Sequence, residues 1–210
     1  MSVAILVPSL NRPHRILSLL ANIHDVTQAD HRILFCVSDP ESSAILANGA
    51  YIDDSAADDH RYVTRMNKLA RLVDEDYIFF GSDDVLFHPN WFEAAVEAMG
   101  DTYALATVND LHQPVGTAAL IKTSYLDRAV FDSPGDAFHS GYIHNFADNE
   151  QFLTAAFHGL HVHAIDSIVE HLHPAWDRSI PWDSTYLNAQ SGWDHDAALF
   201  HERMARLNAS

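Results

Sequence analysis

The chain opens on an alternation of two patterns. A short unbroken apolar run, "VAILVP" (3–8), has the length and β-branched content of a buried strand. Asn11 and Pro13 then introduce a segment in which Ile16, Leu19, Leu20 and Ile23 recur at helical spacing. The pair repeats. "RILFCVSD" (32–39) predicts a second strand ending on Asp39 and Pro40, and "ESSAILANGA" predicts a short helix that stops near Gly49. "DDSAADDH" (53–60) reads as an exposed acidic loop. Residues 61–73 carry Val63, Met66, Leu69, Ala70 and Val73 on one helical face. "DYIFFGSDD" predicts a third strand that runs into two adjacent carboxylates, and "WFEAAVEAM" predicts a helix. Strands alternating with helices imply βαβ units and a largely parallel sheet covered by helices.

Beyond residue 100 the pattern changes. "YALATV" and "GTAALIKTS" read as strands with no clear helix between them, so this half is expected to be mixed. Residues 148–159 predict a helix with acids in its first turn and Gly159 at its end. "LHVHAID" (160–166) and "SIVEHLHPAW" (167–176) predict two short strands. "DHDAALFHERMARLN" predicts a closing helix whose apolar face is Leu199, Phe200, Met204 and Leu207. With no internal repeat, low-complexity tract or linker, the expectation is one α/β domain over 1–210, made of 1–100, 101–175 and a tail at 176–210. Ligands of such sheets gather at the carboxyl ends of the strands. There "PSLNR", "SDP" and "GSDD" deliver polar groups from three strands.

Charge narrows the partners. Twenty-nine Asp and Glu against 12 Lys and Arg give a formal charge of −17, which argues against a broad electropositive surface for nucleic acid or anionic membrane. A local basic pocket for a small phosphate stays open. No apolar run reaches bilayer length, and the start lacks a basic n-region and a cleavage site, with Pro8 interrupting its apolar run; a cytoplasmic protein is expected. The single cysteine, Cys36, rules out an internal disulfide and a cysteine-built zinc site, and reads as a small core residue.

Four groups of residues carry candidate chemistry. Asp83 and Asp84 either form a turn or hold a hard divalent cation that keeps positions open for substrate phosphates. His161 with His163, and His171 with His173, are spaced by two, which on a strand points both rings to one face. That suits a transition metal and a hydrolase, or simply an exposed strand face in a chain with 15 histidines. Pro174 ends the second run and sets His173 at a rim. Asp148 and Glu150 open a helix, either as ordinary first-turn acids or with one serving as a general base. Arg12, His14, Arg15, Arg65 and Lys68 either meet a diphosphate or form solvated helix faces.

In combination these segments resemble a glycosyltransferase of the GT-A fold, of the large inverting family-2 type. "VAILVPSLNRPHRILSLLANI" is similar to that family's first strand and helix, where a Pro-x-x-Asn turn lies near the nucleotide, implicating Pro8 and Asn11. "FCVSD" resembles its second strand, whose terminal acid contacts the base, and Asp39 matches it. Asn67 followed by "DEDYIFFGSDD" resembles the family's Asn and acidic triplet, with Ser82 and Asp84 at the outer positions. "ADNEQFLTAAFHG" aligns Asp148 with the catalytic base and Glu150 with the next acid, and "HLHP" offers His173, or else His171, as a metal ligand. The likeness covers about residues 3 to 175. It implies a Rossmann-like, mostly parallel sheet with a C-terminal helical tail, a nucleotide-binding half over 1–100 and an acceptor half over 101–175.

The implied reaction moves a sugar from a nucleoside-diphosphate sugar, UDP- or GDP-linked, to a hydroxyl of a glycan, protein or small molecule. Mn²⁺ or Mg²⁺ on Asp84 and His173 would offset leaving-group charge, with Asp83 at the ribose or sugar edge. Trp176, Trp182 and Trp193 would supply sugar-stacking or lid surface, or a core or dimer contact; a homo-oligomer is left open. Two departures stand out: Ser82 replaces the first acid of the triplet, and Ala147 replaces the Glu before the base. They keep a non-catalytic sugar-nucleotide-binding relative as an alternative beside the hydrolase. A nucleotidyltransferase would need a glycine-rich basic loop after the first strand, which is absent.

Overall fold

The computed structural model describes residues 1–210 apart from 48, 55, 57–60, 115 and 210. In chain order the elements are β1 (Ser2–Ser9), α1 (Pro13–Val26), β2 (Asp30–Val37), α2 (Pro40–Ile45), β3 (Ala50–Asp53), α3 (Tyr62–Ala70), β4 (Tyr77–Phe80), β5 (Val85–Phe87) and α4 (Trp91–Met99). They continue as β6 (Leu105–Asn109), β7 (Ala119–Lys122), a 3₁₀ turn leading into α5 (Leu126–Ala129), α6 (Ala147–Phe157), β8 (His161–His171), α7 (Ser184–Ser191) and α8 (Trp193–Leu207).

Eight strands form one sheet in the order β3-β2-β1-β4-β7-β6-β8-β5. The first four are mutually parallel, β7 is antiparallel to both of its neighbours, and β5 is antiparallel to β8. The expected parallel front half and mixed back half are therefore both present. β1 is buried along nearly its whole length because helices cover both faces of the sheet. Ile16, Leu19 and Ile23 of α1 and Trp91, Phe92 and Ala95 of α4 close one core; Val63, Met66 and Leu69 of α3 and Phe152 and Ala155 of α6 close the other.

Local chemistry explains the helix starts. Pro13 opens α1 with a preset φ. The Asp39 carboxylate caps α2 by accepting from the Ser42 backbone N–H at 2.8 Å. Asp183 caps α7 by accepting from the Thr185 and Tyr186 N–H groups at 3.0 and 3.1 Å.

Several expectations change. The two strands expected across 160–176 are one strand, β8, whose pairing with β6 jumps from Val108–Ala164 to Asn109–Ile168 through a bulge. The three apolar residues after Asp84 form β5, and Ala50–Asp53 pairs with β2 as β3; both were too short to stand out. Most of the acidic stretch 53–60 lies outside the described residues. Its Asp54, however, is buried against Arg65 and Lys68 and is not part of an exposed loop. Among the described residues no helix is long and apolar enough to cross a membrane.

Candidate functional site

The site grows from sheet topology. β1 and β4 are parallel neighbours, so their carboxyl ends lie side by side, and Gly81 N–H donates to Leu6 O at 3.1 Å. The chain then passes through Ser82, Asp83 and Asp84 into β5. The antiparallel register of β5 with β8 sets Val85 opposite His171, and Leu172 N–H donates to the Asp84 carbonyl at 2.7 Å. The acid pair and the histidine run, about ninety residues apart in sequence, thereby meet at one corner.

Both carboxylates are buried. Asp83 accepts from the Ser9 hydroxyl at 2.6 Å and from Arg12 Nη1 at 2.8 Å. Burial and the Asp84 charge push its proton affinity up against those two partners. Asp84 accepts from the Ser82 hydroxyl, with His171 Nε2 at 3.7 Å and Arg12 Nη1 at 3.5 Å from its Oδ2. Burial works against its ionisation, yet His171, Ser82 and Arg12 together hold it well below the usual carboxylate range. His171 is likewise disfavoured as a cation by burial, but Asp84, with Asp110 and Asp148, raises its proton affinity overall.

Arg12 does not lie on a solvated helix face. Only 3% of it is exposed, and its guanidinium spans Asp83 on one side and Asp183 on the other, the latter through Nε at 2.8 Å and Nη2 at 2.9 Å. It also lies 4.0 Å over the ring of Tyr186. Thr185 Oγ1 donates to Leu10 O at 2.8 Å and Tyr186 OH to Leu172 O at 3.2 Å, so the tail is strapped across the ends of β1 and β8.

Asp148 stands half-buried in the first turn of α6, after Phe146 in a left-handed conformation with φ 63°. Burial pushes its carboxyl up to about 6, against a hydrogen bond from Asn149 N–H and the nearby charge of His171. Tyr62 reaches the carboxyl end of β4. Its hydroxyl donates to Gly81 O at 3.3 Å, and burial plus the charges of Asp148 and Asp84 raise its proton affinity.

The remaining candidates fall elsewhere. The histidine that pairs with Asp84 is His171, whose Nε2 lies 3.7 Å from Oδ2. His173 Nδ1 accepts from Ala175 N–H at 3.1 Å, and its ring lies edge-on to Trp182 and Tyr186. Desolvation, with His171 close by, lowers its proton affinity to about 4. Asn67 is occupied internally: Oδ1 accepts from Ala137 and Phe138 N–H, and Nδ2 donates to Phe138 O, which anchors that loop. Glu150 is buried against Arg203 and the Tyr142 hydroxyl, away from the crevice. Arg65 is buried under the end of β1, where Nη1 donates to Ser9 O at 3.1 Å.

Pro8 is buried within β1, whereas Asn11 is exposed just past the end of β1, with φ 55°. The Asp39 carboxylate, at the end of β2, is engaged by Ser42. Trp176 is exposed and stacked on His112 at 5.6 Å. His161 and His163 do share a face, but both rings meet Thr107 Oγ1, at 3.0 and 3.1 Å. Among the described residues no three His, Cys, Asp or Glu side chains form a metal-holding group.

Sequence reasoning missed Tyr62, Asp110, Asp183 and Tyr186. Only Asp183 carried a signal, as the capping residue in "PWDST". Asp110, fully buried at the end of β6, accepts from His112 and Gln113 N–H.

The donors at the corner fit a hard divalent cation. The Asp84 carboxylate, the His171 imidazole and the Ser82 hydroxyl lie together.

No protein-family model matches the chain, and no curated protein matches it in sequence. Solved structures do. Mannosyltransferase PcManGT from Pyrobaculum calidifontis, in complex with GDP-Man and Mn²⁺, superposes with a TM-score of 0.65 at 15% identity over 83% of this chain and 59% of that one. Glucosyl-3-phosphoglycerate synthase from Mycobacterium tuberculosis, with Mn²⁺, UDP and phosphoglyceric acid, gives 0.55 at 14% over 85% of this chain and 73% of that one. The S. aureus TarS 1-349 structure gives 0.62 at 9% over 83% and 61%. The chain thus spans less than two thirds of the mannosyltransferase and of TarS. At these identities the likeness is one of fold: a mixed, mostly parallel sheet flanked by helices, of GT-A-like architecture, with helices at its C-terminal end.

Proposed function

We propose that the protein is an inverting, family-2-like glycosyltransferase that moves a sugar from a nucleoside-diphosphate sugar to an acceptor hydroxyl. The observation that carries this reading is the Asp84–His171 corner at the strand ends, with Asp148 near enough to His171 to feel its charge. Asp148 has a carboxyl matched to accepting a proton near neutrality. The GT-A-like fold supports it, as do the GDP-Man, UDP and Mn²⁺ complexes of the similar structures.

In this reading the nucleotide lies over the ends of β1 and β2, near Pro8, Asn11 and Asp39. Asp84 and His171 would hold a divalent cation, Mn²⁺ or Mg²⁺, which when bound would offset the negative charge gathering on the leaving diphosphate. Asp83, already neutralised by Arg12 and Ser9, keeps that corner rigid and faces the ribose or sugar edge. Asp148 takes the proton of the acceptor hydroxyl. The acceptor oxygen forms the new bond to the anomeric carbon as the sugar–phosphate bond breaks and the nucleoside diphosphate departs. A single displacement from the opposite face inverts that carbon. Trp176 and Trp182, exposed beside the histidines, offer stacking surface for a saccharide.

The test is a thermal-shift panel of UDP- and GDP-sugars with and without Mn²⁺. Stabilisation by at least one donor, dependent on the metal and lost in Asp84→Ala, is expected. No stabilisation by any donor, or the same stabilisation in Asp84→Ala, overturns the reading.

A further inference from the structure

The segment that delivers Asp148 is held from outside the sheet. Three successive backbone N–H groups, of Ile143, His144 and Asn145, converge on the Asp196 carboxylate at 2.8, 2.9 and 2.8 Å. Asp196 is fully buried in the first turn of α8, where the helix dipole favours its charge. Such a row of amides forms an anion nest, and here an internal carboxylate fills it. The next residue, Phe146, adopts φ 63°, costly for an aromatic side chain, and its ring is gripped by Trp193 and Phe200 of the same helix at 4.7 and 5.4 Å. Phe146 O then accepts the α6 hydrogen bond from Glu150 N–H at 2.9 Å.

We propose that Asp196 is a positioning residue for Asp148: by filling the 143–145 amide nest it sets the start of α6, and so where the first turn of that helix carries Asp148. The inference rests on the functional reading only in naming Asp148 the base.

The experiment reads Asp148 without any substrate. Thermal unfolding of the parent and of Asp148→Asn is followed from pH 4 to 8, and the difference reports how strongly the fold resists ionising Asp148. The same pair is measured in an Asp196→Asn background and in a Leu207→Ala background. Leu207→Ala weakens α8 from its last, buried turn without touching the nest. The pH-dependent difference is expected to fall by at least half in Asp196→Asn and to persist in Leu207→Ala. Full persistence in Asp196→Asn, or equal loss in both backgrounds, overturns the proposal.

Should Asp196→Asn not fold, Asp196→Glu keeps the charge but displaces it by one methylene, and the same halving is required of it. Transferase assays follow: a kcat reduced at least tenfold, with donor KM within twofold, is expected of Asp196→Asn. If the pH-dependent difference behaves as expected and no donor is turned over by any variant, the functional reading falls and the positioning role stands.

Discussion

Replacing Asp148 by Asn removes a carboxylate that the fold keeps partly desolvated. Its carboxyl moves from the usual 3.8 to about 6. At 1.36 kcal/mol per pH unit, that corresponds to about 3 kcal/mol for a fully shielded group. Asp148 is half-buried, so solvent screening reduces the figure to about 1–2 kcal/mol. The sign follows from linkage. The folded value lies above the unfolded one, so the stabilising contribution of the protonated group is complete below about 3.8 and is lost as pH rises through about 6. Asn carries no such penalty. Asp148→Asn should therefore melt about 3–6 °C higher than the parent at pH 7.5, with the gain fading towards pH 4. Calorimetry across that range measures it. The same variant should lose on the order of 10²–10⁴-fold in transferase rate, and parental kcat/KM should fall roughly tenfold per pH unit below about 6. Equal melting temperatures at every pH, or turnover within a few-fold of the parent, would refute both the desolvation and the role built on it.

Other outcomes follow from the same geometry. Arg12→Met leaves Asp83 and Asp183 facing each other without a cation and should cost about 3 kcal/mol or more, read as a lower urea midpoint; an unchanged midpoint would mean the three-way ion pair adds nothing. Gly116 has φ 77°, and an added Cβ would stand 1.9 Å from Val108 O. Gly116→Ala should therefore destabilise by at least about 2 kcal/mol and disturb Thr117, which touches His171; denaturant titration tests this. His171→Ala should abolish the Mn²⁺-dependent part of nucleotide-sugar stabilisation, while His173→Ala leaves most of it. The reverse order would return the ligand role to His173. The buried Cys36 thiol, pushed up to about 12 chiefly by desolvation, should label with a thiol reagent only on unfolding; fast labelling of native protein would contradict its place in the core.

The elements that local pattern encodes were readable in advance. Apolar runs marked β1, β2 and β4, helical spacing marked α1, α3 and α8, first-turn acids with a closing glycine marked α6, and the alternation of strands and helices implied the parallel front sheet. Asp83 and Asp84 could be set at a strand's carboxyl end because an apolar run stops just before them. Short elements were not readable. β3 and β5 are three or four residues long and owe their existence to partners across the sheet.

The site divides the same way. The acid pair, Asp148 and the "HLH" run each read locally as a turn, first-turn acids or an exposed strand face just as well, and it was the resemblance, through their order along the chain, that singled them out as candidates. Which histidine meets Asp84 depended on the antiparallel register of β5 on β8, and a shift of two residues would have exchanged His171 for His173. Whether Arg12 is solvated or buried depended on Asp183, 171 residues away, and whether Glu150 faces the crevice depended on Arg203. A buried charge is stable only where its partner is delivered to it. That delivery is a property of the packed sheet and tail, and no local stretch of sequence contains it.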